Sequence, residues 1–558
     1  MSKNYVAGSE WGDSTRSQQS WTCVHKWLET CIQSHKSCSS QPSVASWKPT
    51  RLLDLGPMGA KLLPRLIEHE EIPAGVVYAT LSHCWGSAKV FKLQKGSIST
   101  AKNQVSFRHL SKTFQDAVEA CRRMKIRYLW IDSLCIIQDS SEDWDAEASR
   151  MEYVYNHCVI NIAASHALDG GWGLHTDRDP LILQPCPLTV TWDDGKPMDM
   201  LCADLDDWIK RFDSEPLSTR GWVVQERLLS PRICHFSGTQ IIWECNEAFA
   251  SESFPLGFTS NDHKFNIRNL RGLTSLTTSS EDHLKWDCWR DVIRHYSSAG
   301  LSFERDKLVA ISGIIRRMRD VFQTEYLAGL WWKGIEYQLL WAVHREGKNM
   351  PTRSSVFIAP TWSWASLNGA EIDLYSHTNT QTTPSLYRGR YLLCRAIDAQ
   401  VVPASSTTIC TDGHIHMQCF LVPAFITPST FGWYDIAVPI HEKRLGRQPL
   451  ISLFTIIDVH MTNRGELNFW LMPILDGLED KHLEGLLLYS NNHEEGIFRR
   501  YGSFRLRGVI DLDNLWKSVF EFEASALEAR HSNIGLYDKV WKYQIGSKKE
   551  EKYEKCDA

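Results

Sequence analysis

The chain has 558 residues, 43% hydrophobic and 23% charged, a composition ordinary for a globular protein with a sizeable core. Its formal charge of −5, from 61 basic and 66 acidic side chains, gives no electrostatic footprint for nucleic acid or an anionic membrane. The 16 cysteines lie singly, the opening MSKNYVAGSEWGDSTRSQQS lacks an apolar leader, and Cys556 is too near the end for prenylation, so the expectation is a cytoplasmic protein with reduced thiols and no membrane span.

Residues 1–50 read as an N-terminal helical segment, with WTCVHKWLETCIQSHKSC (Trp21–Cys38) as one amphipathic helix. Cys31, His35 and Cys38 fall on one face, with Cys23 about two turns earlier. Thiolates and imidazole are zinc ligands. No paired CxxC accompanies them, so the helix is read as docked through small apolar thiols and no metal is assigned.

Residues 51–250 form the main domain, opening with a short strand at Arg51–Leu55 and a confident one at Val76–Leu81 that ends in Ser82-His83-Cys84-Trp85-Gly86. Gly86 permits a sharp turn there. Phe114, Ala117, Val118, Cys121 and Met124 then share a helix face, with Thr113 and Asp116 as a capping pair. Tyr128–Ile131 is an unbroken apolar run, as in a strand covered on both faces. A second helix carries Trp144, Glu147, Met151, Val154 and Cys158 on one stripe, and Cys158–Ala164 is a further strand. Strands alternating with helices predict an α/β domain built on a parallel sheet with flanking helices. Ligands bind such sheets outside the carboxyl ends of the strands, here Ser82–Gly86, Asp132–Cys135, Ser165 and the Gly170–Gly173 loop.

A helix is expected around Asp204–Phe212 and another over Arg220–Arg227, followed by paired strands at Arg232–Phe236 and Gln240–Cys245. Residues 251–280 are a Ser/Thr/Asn/Gly-rich linker. Residues 281–375 read as helical, through HLKWDCWRDVIRHYSS, DKLVAISGIIRRMRDVF and YLAGLWWKGIEYQLLWAV, closing on APTWSWASL. Residues 376–546 are β-rich, with Asp412-Gly413 as a hairpin turn, and 547–558 form a charged tail.

Four stretches carry a resemblance: LSHCWG (Leu81–Gly86), LWIDSLCIIQD (Leu129–Asp139), DWDAEASRMEYVY (Asp143–Tyr155) and TRGWVVQERLLSPR (Thr219–Arg232). Their order and spacing are similar to those of the fungal heterokaryon-incompatibility (HET) domain, and flanking pieces extend the likeness to about two thirds of the chain. The resemblance implies a self/non-self recognition or cell-death effector, whose partners are other incompatibility or signalling proteins or further copies of itself. It also implies a remote likeness to the TIR fold, of the flavodoxin-like class.

Walker, GxGxxG and HExxH signatures are absent, so no tightly bound cofactor is expected. In enzymatic TIR domains a glutamate supports cleavage of NAD, which makes NAD a candidate substrate and Glu147 the candidate catalytic carboxylate, stabilising oxocarbenium character. The pattern departs from W-C-x-x-E, with Asp145 in place of the cysteine and the glutamate one position sooner. Ser82, His83, Trp85, Gly86, Asp132, Trp144, Arg220 and Arg227 are candidate substrate-binding residues, while Cys135, Gln138, Trp222, Gln225 and Glu226 are motif residues with structural tasks. Glu147 reads equally as a structural partner of Arg220 or Arg227, or as a solvated carboxylate. The alternative to an NAD-cleaving enzyme is a non-enzymatic signalling or assembly module, and a third reading is a cysteine hydrolase through Cys135 and His83. His83 and Cys84, as strand neighbours, point to opposite faces.

Overall fold

The computed structural model describes residues 11–39, 47–184 (save 58, 60, 61 and 88–90), 186–202 (save 192–194 and 196), 212–257, 276–344, 351–374 (save 355), and, further on, 390–403, 410–428, 434–437, 454–458, 468–477, 482–490, 496–507 and 541–546. The chain divides into two compact units, Met1–Ser275 with Ala310–Ile314, and Leu276–Val309 with Ile315–Ala558. Most of the helix expected at Asp204–Phe212, much of the 251–280 linker and the tail 547–558 lie outside the described residues.

The first unit is built on an eight-stranded sheet. Its elements are α1 (Gln18–Ser34), β1 (Arg51–Asp54), β2 (Arg65–Glu68), β3 (Tyr78–Ser82), α2 (Lys112–Arg123), β4 (Tyr128–Ile131), α3 (Ser141–Asn156), β5 (Ile160–Ala163), α4 (Gly221–Leu229), β6 (Arg232–Phe236), β7 (Ile241–Cys245) and β8 (Phe249–Ser251). The spatial order is β8-β7-β6-β5-β3-β4-β1-β2. Only the centre is parallel: β4, β3, β5 and β6 run together. β1 and β2 on one flank, and β7 and β8 on the other, are antiparallel. The expected parallel sheet is therefore corrected to a mixed one, because the flanking strands are joined by short connections that need no crossover helix.

Strand alternation sorts the core into two layers. Leu53, Ala79, Leu81, Leu129, Ile131, Ile160 and Ile162 face α1 and α2, meeting Trp21, Val24, Phe114, Val118 and Cys121. Leu52, Tyr78 and Trp130 face the other way, meeting Met151, Val154 and Tyr155 of α3 and Leu229 of α4. This period of two places successive residues on opposite faces.

Several local expectations are corrected. The first helix ends at Ser34, and His35 takes an extended conformation before a separate turn at Lys36–Ser39. Ser111, not Thr113, caps α2, its hydroxyl accepting from the Phe114 amide at 3.4 Å. Thr113 and Asp116 instead hold the glycine-rich loop: the amides of Gly173 and Leu174 donate to Thr113 Oγ1 and Asp116 Oδ2 at 3.2 and 3.0 Å. Cys158 lies beyond the end of α3.

In the second unit, helices form at Asp282–Ser298 and, from Ile315 on, through Phe322. The third expected helix does not form. Tyr326–Leu327 and Leu330–Trp331 pair as a hairpin across Ala328-Gly329, both at positive φ, and only one helical turn follows at Ile335–Gln338. Two glycines within that apolar run let the backbone turn where periodicity alone suggests continuation. The C-terminal region is β-rich, on a ten-stranded sheet. Asp412-Gly413 is no turn there. It lies inside the strand Cys410–Cys419, opposite Val402 and Val401. A Cβ at Gly413 would stand 2.6 Å from Pro360 Cγ, so the glycine serves close packing, the other common use of glycine in a strand. Arg500, fully buried, anchors this region: it donates to Asp458 at 2.8 Å and to the Trp341 carbonyl at 2.5 Å, over the Trp341 ring.

Candidate functional site

The carboxyl ends of the four parallel strands carry two polar clusters, one on each side of the sheet. On the α3/α4 side, Thr80 and Ser82 are two residues apart on β3 and so share a face. Asn161 on β5 is in register with Thr80. Its amide joins both hydroxyls: Thr80 Oγ1 donates to Asn161 Oδ1 at 3.1 Å, and Asn161 Nδ2 donates to Ser82 Oγ at 2.9 Å. Ser82 also hydrogen-bonds the Glu226 carboxyl from α4, and Tyr155 of α3 reaches the same group. Burial pushes the Glu226 carboxyl up to about 7, and the Tyr155 hydroxyl well above its usual range. A carboxyl taken out of water without a close counter-charge favours its neutral form, which the hydroxyl partners only partly offset.

On the α2 side, His83 lies edge-on to Phe114 with ring centres 4.9 Å apart. Trp85 stacks nearby and donates from Nε1 to Asp132 Oδ2 at 2.8 Å, while His83 Nδ1 stands 3.7 Å from Asp132 Oδ1. Burial lowers the His83 pKa, so its ring is neutral at pH 7, and its Nε2 has no hydrogen-bond partner among the described residues. Arg220 spans the two sides, donating to the His83 carbonyl at 2.5 Å and to the Cys84 thiol. Lys92 sits over the Trp85 ring at 4.5 Å. Gly86, at φ +52°, passes so near the glycine-rich loop that a Cβ would be 2.6 Å from the Leu168 carbonyl oxygen. Trp85 and Asp132 are half-buried, leaving this edge open to solvent.

The structure brings Ser82, His83, Trp85, Gly86, Asp132 and Arg220 to one edge, but not Glu147, Trp144 or Arg227. Glu147 is buried on α3, 3.1 Å from Arg150 Nη1 and hydrogen-bonded to Thr50, and burial raises its pKa. Among the described residues neither Arg220 nor Arg227 pairs with it, so the ion pair expected with those arginines is replaced by Arg150. Sequence spacing of three on one helix makes that pair local. Arg51 lies close by and grips Asp143 at 2.6 and 3.1 Å. Trp144 meets Trp222 edge to face, 6.2 Å between ring centres. Arg227 binds Glu244 at 2.8 Å, a carboxylate shared with His235.

The other motif residues hold backbone. Gln138 donates to the carbonyls of Asp132 and Ile136, and Gln225 accepts from the Gly313 amide at 2.7 Å. Cys135 is fully buried, with its thiol pushed up to about 12 by burial. His83 packs on the α2 face and Cys135 on the α3 face, so the sheet separates them. Cys84 faces Leu217 and Val223, away from His83. Sequence reasoning missed Asn161 and Tyr155 as polar partners of Ser82 and Glu226. Asn161, as the one polar residue in the run Val159–Ala164, was the available signal.

Residues 78–226, the stretch from β3 through Glu226, match the family model described as Heterokaryon incompatibility protein (HET). That stretch is a HET domain. The matched segment contains both polar clusters and stops short of the flanking WLETC and APTWSWAS stretches. No curated protein and no solved structure matches the chain significantly. Among the described residues no helix is long and apolar enough to cross a membrane.

Proposed function

We propose that this HET-domain protein is a cytoplasmic effector of self/non-self recognition and regulated cell death that signals by assembly, with its motif residues serving chiefly to fix the fold. The observation that carries this reading is where the motif spends its polar groups. Ser82, Asn161 and Glu226 bind one another, Gln138 and Gln225 bind backbone, Arg51 binds Asp143 and the Cys135 carbonyl, and Glu147 lies beneath Arg150. Buried hydrogen-bonded networks of this kind rigidify and specify a fold. The partners are other incompatibility or signalling proteins or further copies of the chain. The glycine-rich loop adds exposed Leu168 and Trp172, 55% and 54% accessible, as apolar contact points.

A TIR-like NAD-cleaving enzyme is the second reading, and one observation favours it. The open strand edge places Trp85, Asp132, Arg220 and the unpartnered Nε2 of buried His83 where α/β sheets bind ligands. In that reading Arg220 and Lys92 offer positive charge to phosphates, and a carboxylate stabilises the developing sugar cation.

Expression of the whole chain beside Glu147→Gln, with NAD, growth and folding followed together, separates the two. Growth arrest with unchanged NAD in both is the expected result. NAD loss from the parent chain overturns assembly as the mechanism, and its disappearance in Glu147→Gln assigns the carboxylate. Absence of growth arrest on pairing with any incompatible strain overturns the effector reading itself.

A further inference from the structure

The break in the first helix has a chemical consequence. With α1 ended at Ser34 and the chain turning through His35, Cys38 folds back beside Cys31 instead of continuing along a straight helix. Cys245, at the end of β7 and 210 residues from His35, meets them there. The ligand atoms of Cys31, His35, Cys38 and Cys245 all lie within 4.8 Å of one another, and Cys245 Sγ stands 3.3 Å from His35 Nδ1. We propose that these four residues form a structural zinc site that staples the N-terminal helix to the β7–β8 hairpin.

The donor set is three thiolates and an imidazole, a common closed set for structural zinc. Two sulfurs bound tetrahedrally at ~2.3 Å from a metal are about 3.8 Å apart, so the observed spread needs only small side-chain adjustments. All three cysteines are buried, which shields the site from solvent and competing ligands. Cys23, a turn or two earlier on α1, is outside the cluster, and its place as fourth donor is taken by Cys245.

Charge supplies an independent argument. Arg232 is buried, yet among the described residues it makes no ion pair with a carboxylate. Its guanidinium donates to Cys31 Sγ at 3.1 Å and to the carbonyls of Cys38 and Val159 at 3.1 and 3.3 Å. A buried cation requires a counter-charge. Zinc(II) with three thiolates and a neutral imidazole carries a net single negative charge, their thiol protons passing to solvent as the metal binds, and Arg232 is placed to neutralise it. The Ala248 amide donates to Cys245 Sγ at 3.3 Å, and the Asn246 side chain donates to the Ser37 carbonyl at 3.1 Å. Such outer contacts orient metal ligands and stabilise thiolate charge. Because the closed segment is long, fixing its ends removes considerable freedom from the unfolded chain.

The test is zinc content of the full chain purified under reducing conditions, by elemental analysis, followed by cobalt(II) exchange. About one zinc per chain is expected, with intense tetrahedral cobalt bands and sulfur-to-cobalt charge transfer. Cys245→Ser should lose the metal on dialysis against chelator, while Cys23→Ser retains it. Chelator should lower the melting temperature of the parent chain, and zinc should restore it. Less than about one-tenth equivalent in the parent chain, before and after reconstitution with zinc, overturns the proposal. So does a disulfide among Cys31, Cys38 and Cys245 in the freshly reduced and refolded protein, or full zinc retention in Cys245→Ser. If Cys245→Ser does not fold, the stoichiometry and cobalt spectrum of the parent chain decide alone.

Discussion

Glu147 and Glu226 sit on neighbouring helices of the HET domain, and both are buried, yet their surroundings differ in kind. Glu147 belongs to an ionic seam with Arg150, Thr50, Arg51 and Asp143, which ties the start of α3 to β1. Glu226 meets hydroxyls, from Ser82 and Tyr155, in the middle of the sheet-to-helix interface. Burial raises its carboxyl pKa to about 7, against the smaller opposing effect of those hydroxyls. The residue that a helix-start motif marks for chemistry is thus in a bracing position. The residue read as structural is the one whose protonation changes near physiological pH, a common property of functional groups.

The largest way to break the comparison is to cut the seam. Arg51→Met keeps the aliphatic stem but leaves the Cys135 carbonyl and the Asp143 carboxylate without their guanidinium. Removing one member of a buried pair strands the other, so a loss of about 3 kcal/mol in denaturant unfolding is expected. The double variant Arg51→Met/Asp143→Asn should recover part of it. A single-variant loss below about 1 kcal/mol would mean the seam is a surface pair in effect.

Next in size is the titration of Glu226. Its folded value, about 7, lies above the ordinary 4.5, so between those values the folded chain holds a proton that the unfolded chain has released. Stability from this group is full below pH 4.5 and falls as pH rises to about 7. The swing is about 3 kcal/mol, and Glu226→Gln should abolish it. Other buried acids titrate nearby, among them Glu215, also raised to about 7. The useful quantity is therefore the difference between parent and variant across that window, and a flat difference would place Glu226 in contact with water.

How much of this was legible in sequence follows from the range of the interactions involved. The helices α2 and α3 and the strand Tyr128–Ile131 were readable because periodicity and an unbroken apolar run report burial directly. The HET motifs located the strand edge, since Ser82–Gly86 and Asp132 are carried there by their own strands. Of the antiparallel flanks, the hairpin of Arg232–Phe236 with Ile241–Cys245 was readable, whereas Arg65–Glu68 is four residues long and has no strong pattern. Nor was the partner of Glu226, because Ser82 lies 144 residues away and Asn161 reaches it only through register. Tyr326–Val343 failed for the opposite reason, where helical spacing was plain but two glycines and tertiary packing of tryptophans prevailed.

The smallest effect sharpens the comparison most. Glu147→Gln keeps the shape of the side chain and removes a charge that burial already disfavours. Its partner Arg150 is half exposed and can be hydrated when the pair is lost, so the cost should stay below about 1 kcal/mol. The variant should melt within a few degrees of the parent, and this small cost is what makes it a clean probe of chemistry. A change in activity without a change in melting temperature would return Glu147 to a catalytic role. A loss of several degrees would instead show that the glutamate braces α3 against β1 more strongly than its half-exposed partner suggests. With both readouts flat, chemistry in the HET domain has to be sought at the open edge formed by His83, Trp85, Asp132 and Arg220.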